Sequence, residues 1–163
     1  MIIVALDPSG NWGDKEGWGT TGFATYCNGK VELNEVKSSD FALQEAYWSE
    51  VIYQALSIDP DHVVIEGYKL YNHAGKNAQM QSNSDMPTSQ LIGALKIQAF
   101  YSNTPVAIQY ASDVKNRWSD EVLTNLGIIE SGNKFKGKST NAHKRDALRH
   151  LCHFKKYKLK GEK

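Results

Sequence analysis

Asp7, Glu66, His143 and Asp146 are residues of the types that hold a hard divalent ion, and their placement along this 163-residue chain invites that use. Asp7 follows the apolar run MIIVAL, and Glu66 lies near the end of HVVIEGY, so each acid emerges from a segment that reads as a fully buried strand. An unpaired carboxylate there loses much of its hydration, and two in one sheet call for a cation between them. Each acid alone also has a local explanation, with Asp7 capping the turn Pro8-Ser9-Gly10 and Glu66 pairing with a lysine such as Lys69. His143 and Asp146 stand three residues apart in NAHKRDALRHL, residues 141–151, a spacing that puts both on one face of a helix. Carboxylate oxygen suits Mg²⁺ and Mn²⁺, and Mn²⁺ tolerates an imidazole. The four side chains could hold two ions about 3.5–4 Å apart, the arrangement that serves in-line phosphodiester hydrolysis.

The basic residues around them point the same way. Residues 134–163 carry a net charge of +9 and residues 1–133 a net charge of −8, although the whole chain is only +1. Such polarisation commonly meets a polyanion, with a solvated basic tail as the bland alternative. Lys144, Arg145 and Arg149 share the helix of His143 and Asp146 and could contact a phosphate backbone, or simply form a solvated face. Lys69, Lys76, Lys115, Arg117, Lys134, Lys136 and Lys138 fall on expected loops and strand exits, where several phosphate contacts would make affinity steeply salt-dependent.

Positioning these residues requires a sheet. MIIVAL, TGFATYC (21–27) and KVELNEVK (30–37) predict a meander of three antiparallel strands, with Asn28-Gly29 as a type I′ hairpin turn. Ser38, Ser39 and Asp40 are expected to cap a helix whose apolar positions are Phe41, Ala46, Val51, Ile52, Ala55 and Leu56 and which ends before Asp59-Pro60. HVVIEGY (62–68) predicts a buried strand, and residues 69–86 a loop or lid. Pro87 opens a helix to about Ser102 with Leu91, Ile92, Leu95, Ala99 and Phe100 as its stripe. PVAIQY (105–110) predicts a fifth strand, Ser119 a cap for a short helix to about Leu126, and 132–139 a flexible basic loop. The last helix spans roughly 141–157, with Ala147, Leu148, Leu151, Cys152 and Phe154 inward. These elements add up to an α/β RNase H-like fold: a mixed five-stranded sheet, three antiparallel strands then two parallel, with helices on both faces. The length suits one domain over 1–157, followed by a basic tail at 158–163.

Composition is that of a globular protein, and no apolar run approaches the roughly 18–20 residues that span a bilayer. The start, MIIVALDP, lacks the features of a signal peptide, so the expected location is the cytoplasm, with no membrane association. Cys27 and Cys152 read as buried small apolar residues, not as a disulfide.

The ordered set VALDPSG, TTGFATY, VVIEGY, TSQLIGALKIQAFY, PVAIQYASDVK and HKRDALRHL resembles the RuvC-type Holliday-junction resolvases, in their bacteriophage branch, from Met1 to about Phe154. The resemblance implies metal ligation and catalysis by Asp7, Glu66, His143 and Asp146. It also implies that Lys115 approaches the scissile phosphate. Mg²⁺ or Mn²⁺ as cofactor, branched DNA as substrate (four-way junctions, with forks and flaps as further candidates) and a homodimer follow from it. Gly93 and Ala94, beside Leu91, Ile92 and Leu95, suit helix 88–101 to that dimer contact and equally to plain core packing. The chain departs from the family in the long first hairpin GNWGDKEGWGTTG and in the loop after Glu66. There tyrosines stand where relatives place a phenylalanine wedge; Tyr68 or Tyr71 could stack on an unpaired base. A non-catalytic branched-DNA-binding module and a terminase-type packaging nuclease are the alternative readings.

Two other signals are declined. Gly17 to Gly22 matches GxGxxG, but a strand follows it where a dinucleotide site needs a helix. His150, Cys152 and His153 lack a matching second pair for zinc, and core and surface positions explain them.

Overall fold

The computed structural model describes residues 1–13, 19–68 and 86–159. Five strands, β1 (Ile2–Asp7), β2 (Thr20–Cys27), β3 (Lys30–Lys37), β4 (His62–Gly67) and β5 (Val106–Tyr110), form one sheet in the order β3-β2-β1-β4-β5. β1–β2 and β2–β3 are antiparallel, whereas β1–β4 and β4–β5 are parallel. The helices are α1 (Gln44–Leu56), α2 (Pro87–Tyr101), α3 (Ala111–Val114), α4 (Asp120–Asn125) and α5 (Ala142–Tyr157). This is the mixed sheet that the sequence predicts, and the β2–β3 turn has φ of 47° at Asn28 and 88° at Gly29, the left-handed pair of a type I′ hairpin.

Strand alternation explains the two cores. Ile3 and Ala5 of β1 and Val64 of β4 pack with Ala147, Leu148, Leu151 and Phe154 of α5. Val4 and Leu6 of β1 and Val63 and Ile65 of β4 face the other way, against Tyr47, Val51 and Ala55 of α1 and Leu91 and Leu95 of α2. Because side chains change face at every residue, Asp7 shares the face of Ile3 and Ala5, and Glu66 shares that of Val64. Both acids are thereby committed to the α5 side of the sheet.

Several local expectations are corrected. Ser38–Asp40 form a separate 3₁₀ turn and do not cap α1, whose N-cap is Leu43 without a side-chain bond. Ser38 is instead buried and accepts a hydrogen bond from the Gly19 amide at 2.8 Å. Ala46 is exposed, and the buried stripe of α1 is Tyr47, Val51 and Ala55. Residues 132–139 are not a loop but a small hairpin, β6 (Lys134–Phe135) and β7 (Lys138–Ser139), turned by Lys136 and Gly137 with φ of 51° and 75°. Cys27 and Cys152 are half-buried free thiols. On α2, Leu91 and Leu95 are fully committed to the core beneath the helix, while Phe100 is 78% exposed, so the anticipated stripe splits between two faces. Among the described residues no helix is long and apolar enough to cross a membrane.

Candidate metal centre

α5 crosses the sheet so that its first two turns lie over the C-terminal ends of β1 and β4. Asn141 caps it, its side-chain oxygen accepting from the Lys144 amide at 2.9 Å. Gly22 permits the approach: it is the register partner of Asp7, and a Cβ there would lie 2.3 Å from the His143 carbonyl oxygen. No side chain fits in that gap, which gives this glycine of the rejected GxGxxG match a structural purpose. The turn after β1 is clamped from the opposite face. The Tyr47 hydroxyl donates to the Ser9 carbonyl at 2.6 Å and lies 2.9 Å from Thr21 Oγ1. Burial pushes the Tyr47 hydroxyl up to about 12, so it stays a donor.

Within this frame Asp7, Glu66 and Asp146 each offer a carboxylate oxygen, and these oxygens all lie within 4.8 Å of one another. Their side chains are 11–16% exposed, recessed yet open to a small ion. The fourth expected ligand, His143, stands beside this trio in a different relation: its Nδ1 lies 2.8 Å from Asp7 Oδ2. Burial raises the Asp7 carboxyl above its ordinary range, the bond from His143 opposes that, and the neighbouring Glu66 and Asp146 add to it. The same bond to Asp7 raises the His143 imidazole.

Positive groups from the protein partly compensate the trio. Lys115, at the end of α3, places Nζ 2.8 Å from Asp146 Oδ2 and 3.8 Å from Glu66 Oε1. Burial works against its charge, but the hydrogen bond to Asp146 and the attraction of the acids raise the ammonium above its usual value. Arg149 donates to Asp146, to Asp120 and, at 2.9 Å, to the Trp118 carbonyl. Three recessed hard oxygen donors with an ammonium seated between two of them form a set that fits Mg²⁺ or Mn²⁺.

The other expected contacts are distributed unevenly. Arg145 bonds Asp120 at 3.2 Å and the Thr140 carbonyl at 2.8 Å, and Lys144 pairs with Glu35 at 3.2 Å. Burial opposes the charge of Glu35, but that lysine outweighs it and holds the carboxyl below its ordinary range. Lys144, Arg145 and Arg149 are thus paired within the fold and largely covered, which corrects the reading of a solvated helix face. Lys134, Lys136 and Lys138 are exposed on the β6–β7 hairpin, and Lys136 reaches the Val31 carbonyl at 2.6 Å. The Arg117 guanidinium lies over the Tyr157 ring at 5.3 Å, beside the edge strand β5. Tyr68 is 47% exposed just past β4, and Lys69, Tyr71 and Lys76 lie outside the described residues.

One residue at the site is not singled out by the sequence. His150, which reads there with Cys152 and His153 as a core or surface residue, is completely buried, with Nε2 2.9 Å from Glu66 Oε2 and Nδ1 3.0 Å from Gln109 Oε1. Its spacing of four from Asp146 and seven from His143 is the available signal, since all three share one helix face.

No protein-family model and no curated protein matches the chain. Among solved structures it is similar to Thermus thermophilus RuvC in complex with a Holliday junction substrate, with a TM-score of 0.66 and 17% identity over 99% of this chain and 96% of that chain. It is likewise similar to Thermus thermophilus RuvC in a second structure, with a TM-score of 0.64, 17% identity and coverage of 99% and 97%. The fowlpox virus Holliday junction resolvase aligns with a TM-score of 0.53 at 18% identity, over 96% of this chain and 99% of that chain. The chain therefore has the RuvC-type, RNase H-like fold.

Proposed function

We propose that this protein is a metal-dependent, structure-selective DNA endonuclease of the RuvC type that cleaves four-way junctions, with forks and flaps as secondary substrates. The observation that carries the reading is the convergence of three carboxylates whose oxygens lie within 4.8 Å of one another, two from strand ends and one from α5, in a fold shared with junction resolvases. Asp7, Glu66 and Asp146 would hold Mg²⁺ or Mn²⁺, with two ions expected and His143 completing or bracing the set through Asp7. When bound, the ions supply an activated water and neutralise charge on the leaving oxygen. The side chains do the rest. Asp7 would be a ligand braced by His143, which orients its carboxylate, and Lys115, half-exposed at the rim, would exchange its carboxylate partners for a scissile phosphate. The exposed lysines of the β6–β7 hairpin and Arg117 would track the backbone, and Tyr68 would stack on an unpaired base.

A resolvase must cut two strands symmetrically, which a homodimer accomplishes. Helix α2 is the proposed contact, through the side that leaves Ile97, Phe100 and Tyr101 exposed.

The test is incubation of purified protein with labelled four-way junction, flap, fork and plain duplex in Mg²⁺, Mn²⁺ or EDTA. Junction cleavage is expected in one or both metals and none in EDTA. Asp7→Asn and Asp146→Asn are each expected to abolish cleavage while junction binding persists in a gel-shift assay. Wild-type cutting rates in both variants would reject the site. The non-catalytic alternative draws on one observation, that Lys115 and Arg149 already pair with Asp146, and it expects junction binding without cleavage in either metal.

A further inference from the structure

Glu66 has two carboxylate oxygens with different neighbours. Oε2 takes a hydrogen bond from His150 Nε2 at 2.9 Å, while Oε1 is the oxygen on the Lys115 side, 3.8 Å from that ammonium. His150 is itself fixed from behind, for its Nδ1 meets the Gln109 side chain at 3.0 Å and none of its surface reaches solvent. The sheet explains why these groups meet. Gln109 is the register partner of Glu66 in the parallel β4–β5 pair, so both project to the same face, and α5 lays His150 over them. His150 is also one turn from Asp146, so the helix that supplies one carboxylate of the trio also fixes another.

We propose that His150 is a positioning residue that holds Glu66 to a single metal-facing oxygen and thereby selects small, octahedral divalent ions over calcium. This inference rests on the reading of the trio as a metal centre. A carboxylate with one oxygen tied to a buried imidazole has that oxygen fixed in direction and one of its lone pairs taken, which disfavours turning both oxygens onto one ion. Mg²⁺ and Mn²⁺ complete an octahedron with single oxygens and water, whereas Ca²⁺ takes six to eight oxygens and commonly draws both from one carboxylate. The device is rigid because neither His150 nor Gln109 has room to turn aside: His150 is 0% and Gln109 6% exposed. Sequence-distant partners of this kind, bonded to a ligand and not to the ion, characteristically orient the ligand and tune metal affinity.

Two substitutions separate the two bonds of the ring. His150→Gln keeps an N–H in the place of Nε2, and His150→Asn keeps a polar group in the place of Nδ1 while releasing Glu66. Binding of Mn²⁺, Mg²⁺ and Ca²⁺ to the full chain, without DNA, is measured by calorimetry, with thermal unfolding of each variant alongside. In His150→Asn the ratio of Ca²⁺ to Mn²⁺ affinity is expected to rise by about ten- to a hundred-fold, and in His150→Gln to stay within about threefold of wild type. A purely structural histidine would lower all three affinities together, and equal ratios in the wild type and both variants would overturn the proposal. The same holds if His150→Gln shifts the ratio as far as His150→Asn does. Should the wild-type chain bind none of the ions, the metal-centre reading itself fails. Should it bind them with a ratio insensitive to residue 150, only this inference falls.

Discussion

The recessed acids and the basic β6–β7 hairpin are two charged regions built by opposite means. Asp7, Glu66 and Asp146 come from β1, β4 and α5, and are held by His143, His150 and Lys115 from distant parts of the chain and by Arg149 one turn along α5. Lys134, Lys136 and Lys138 come from one hairpin of two-residue strands and stand exposed on it. The acids are fixed before any ligand arrives, at the expense of burying mutually repelling charges. The lysines keep their hydration, although Lys136 also reaches the Val31 carbonyl, and this suits screened, interchangeable contacts with a polyanion. A charged group whose position matters is thus tied down by several partners, and charges whose number matters stand mostly exposed.

Breaking the tied region is expected to have the largest effect on folding. Arg149→Ala removes the side chain that joins Asp146, Asp120 and the Trp118 carbonyl, and should destabilise the fold by about 2 kcal/mol in urea unfolding, since Asp146 is left with Lys115 as its cationic partner among three crowded acids and the Trp118 carbonyl loses its donor. An effect no larger than that of substituting an exposed lysine would erase the distinction between the two regions.

A smaller effect, of opposite sign, sharpens it. Because the Asp7 carboxyl is raised in the fold, its ionisation opposes folding: the associated stability is present at acid pH and lost as pH rises through the folded value. Asp7→Asn should therefore melt at a higher temperature than wild type at pH 7 in EDTA, with the gap closing toward pH 4 and reversing when Mn²⁺ is added. A lower melting temperature for Asp7→Asn in EDTA would mean that the bond to His143 outweighs burial.

The smallest effect concerns the loose region. Replacing Lys134, Lys136 and Lys138 together by alanine should lower the slope of log affinity for DNA against log salt by at most about 3, near 0.9 for each phosphate no longer neutralised, with little change in thermal stability. A slope identical to wild type would remove the hairpin from the DNA interface.

Much of this molecule follows from period and punctuation. Strands β1 to β5 lie within a residue or two of where apolar alternation and turn residues put them, and Ser119 caps α4 as its type suggests. The errors fall where local signals compete. Ser38 looks like a helix cap but bonds Gly19 across the sheet edge, and 132–139 looks like a flexible loop because its glycines and lysines also suit a tight hairpin.

At the site the boundary is equally physical. Side-chain alternation of two residues in strands, and of 3.6 in helices, is local, so the chain alone aligns Asp7 with Ile3 and Ala5, Glu66 with Val64, and His143, Asp146 and His150 on one face of α5, while the register of β1 on β4 brings the two acids to the same face of the sheet. Which face α5 covers, how closely it approaches at Gly22, and which partner each charge finds depend on packing between segments up to 136 residues apart. Only that packing decides that His143 bonds Asp7, that Arg145 and Arg149 are taken up by Asp120, and that a histidine with the look of core filler holds Glu66.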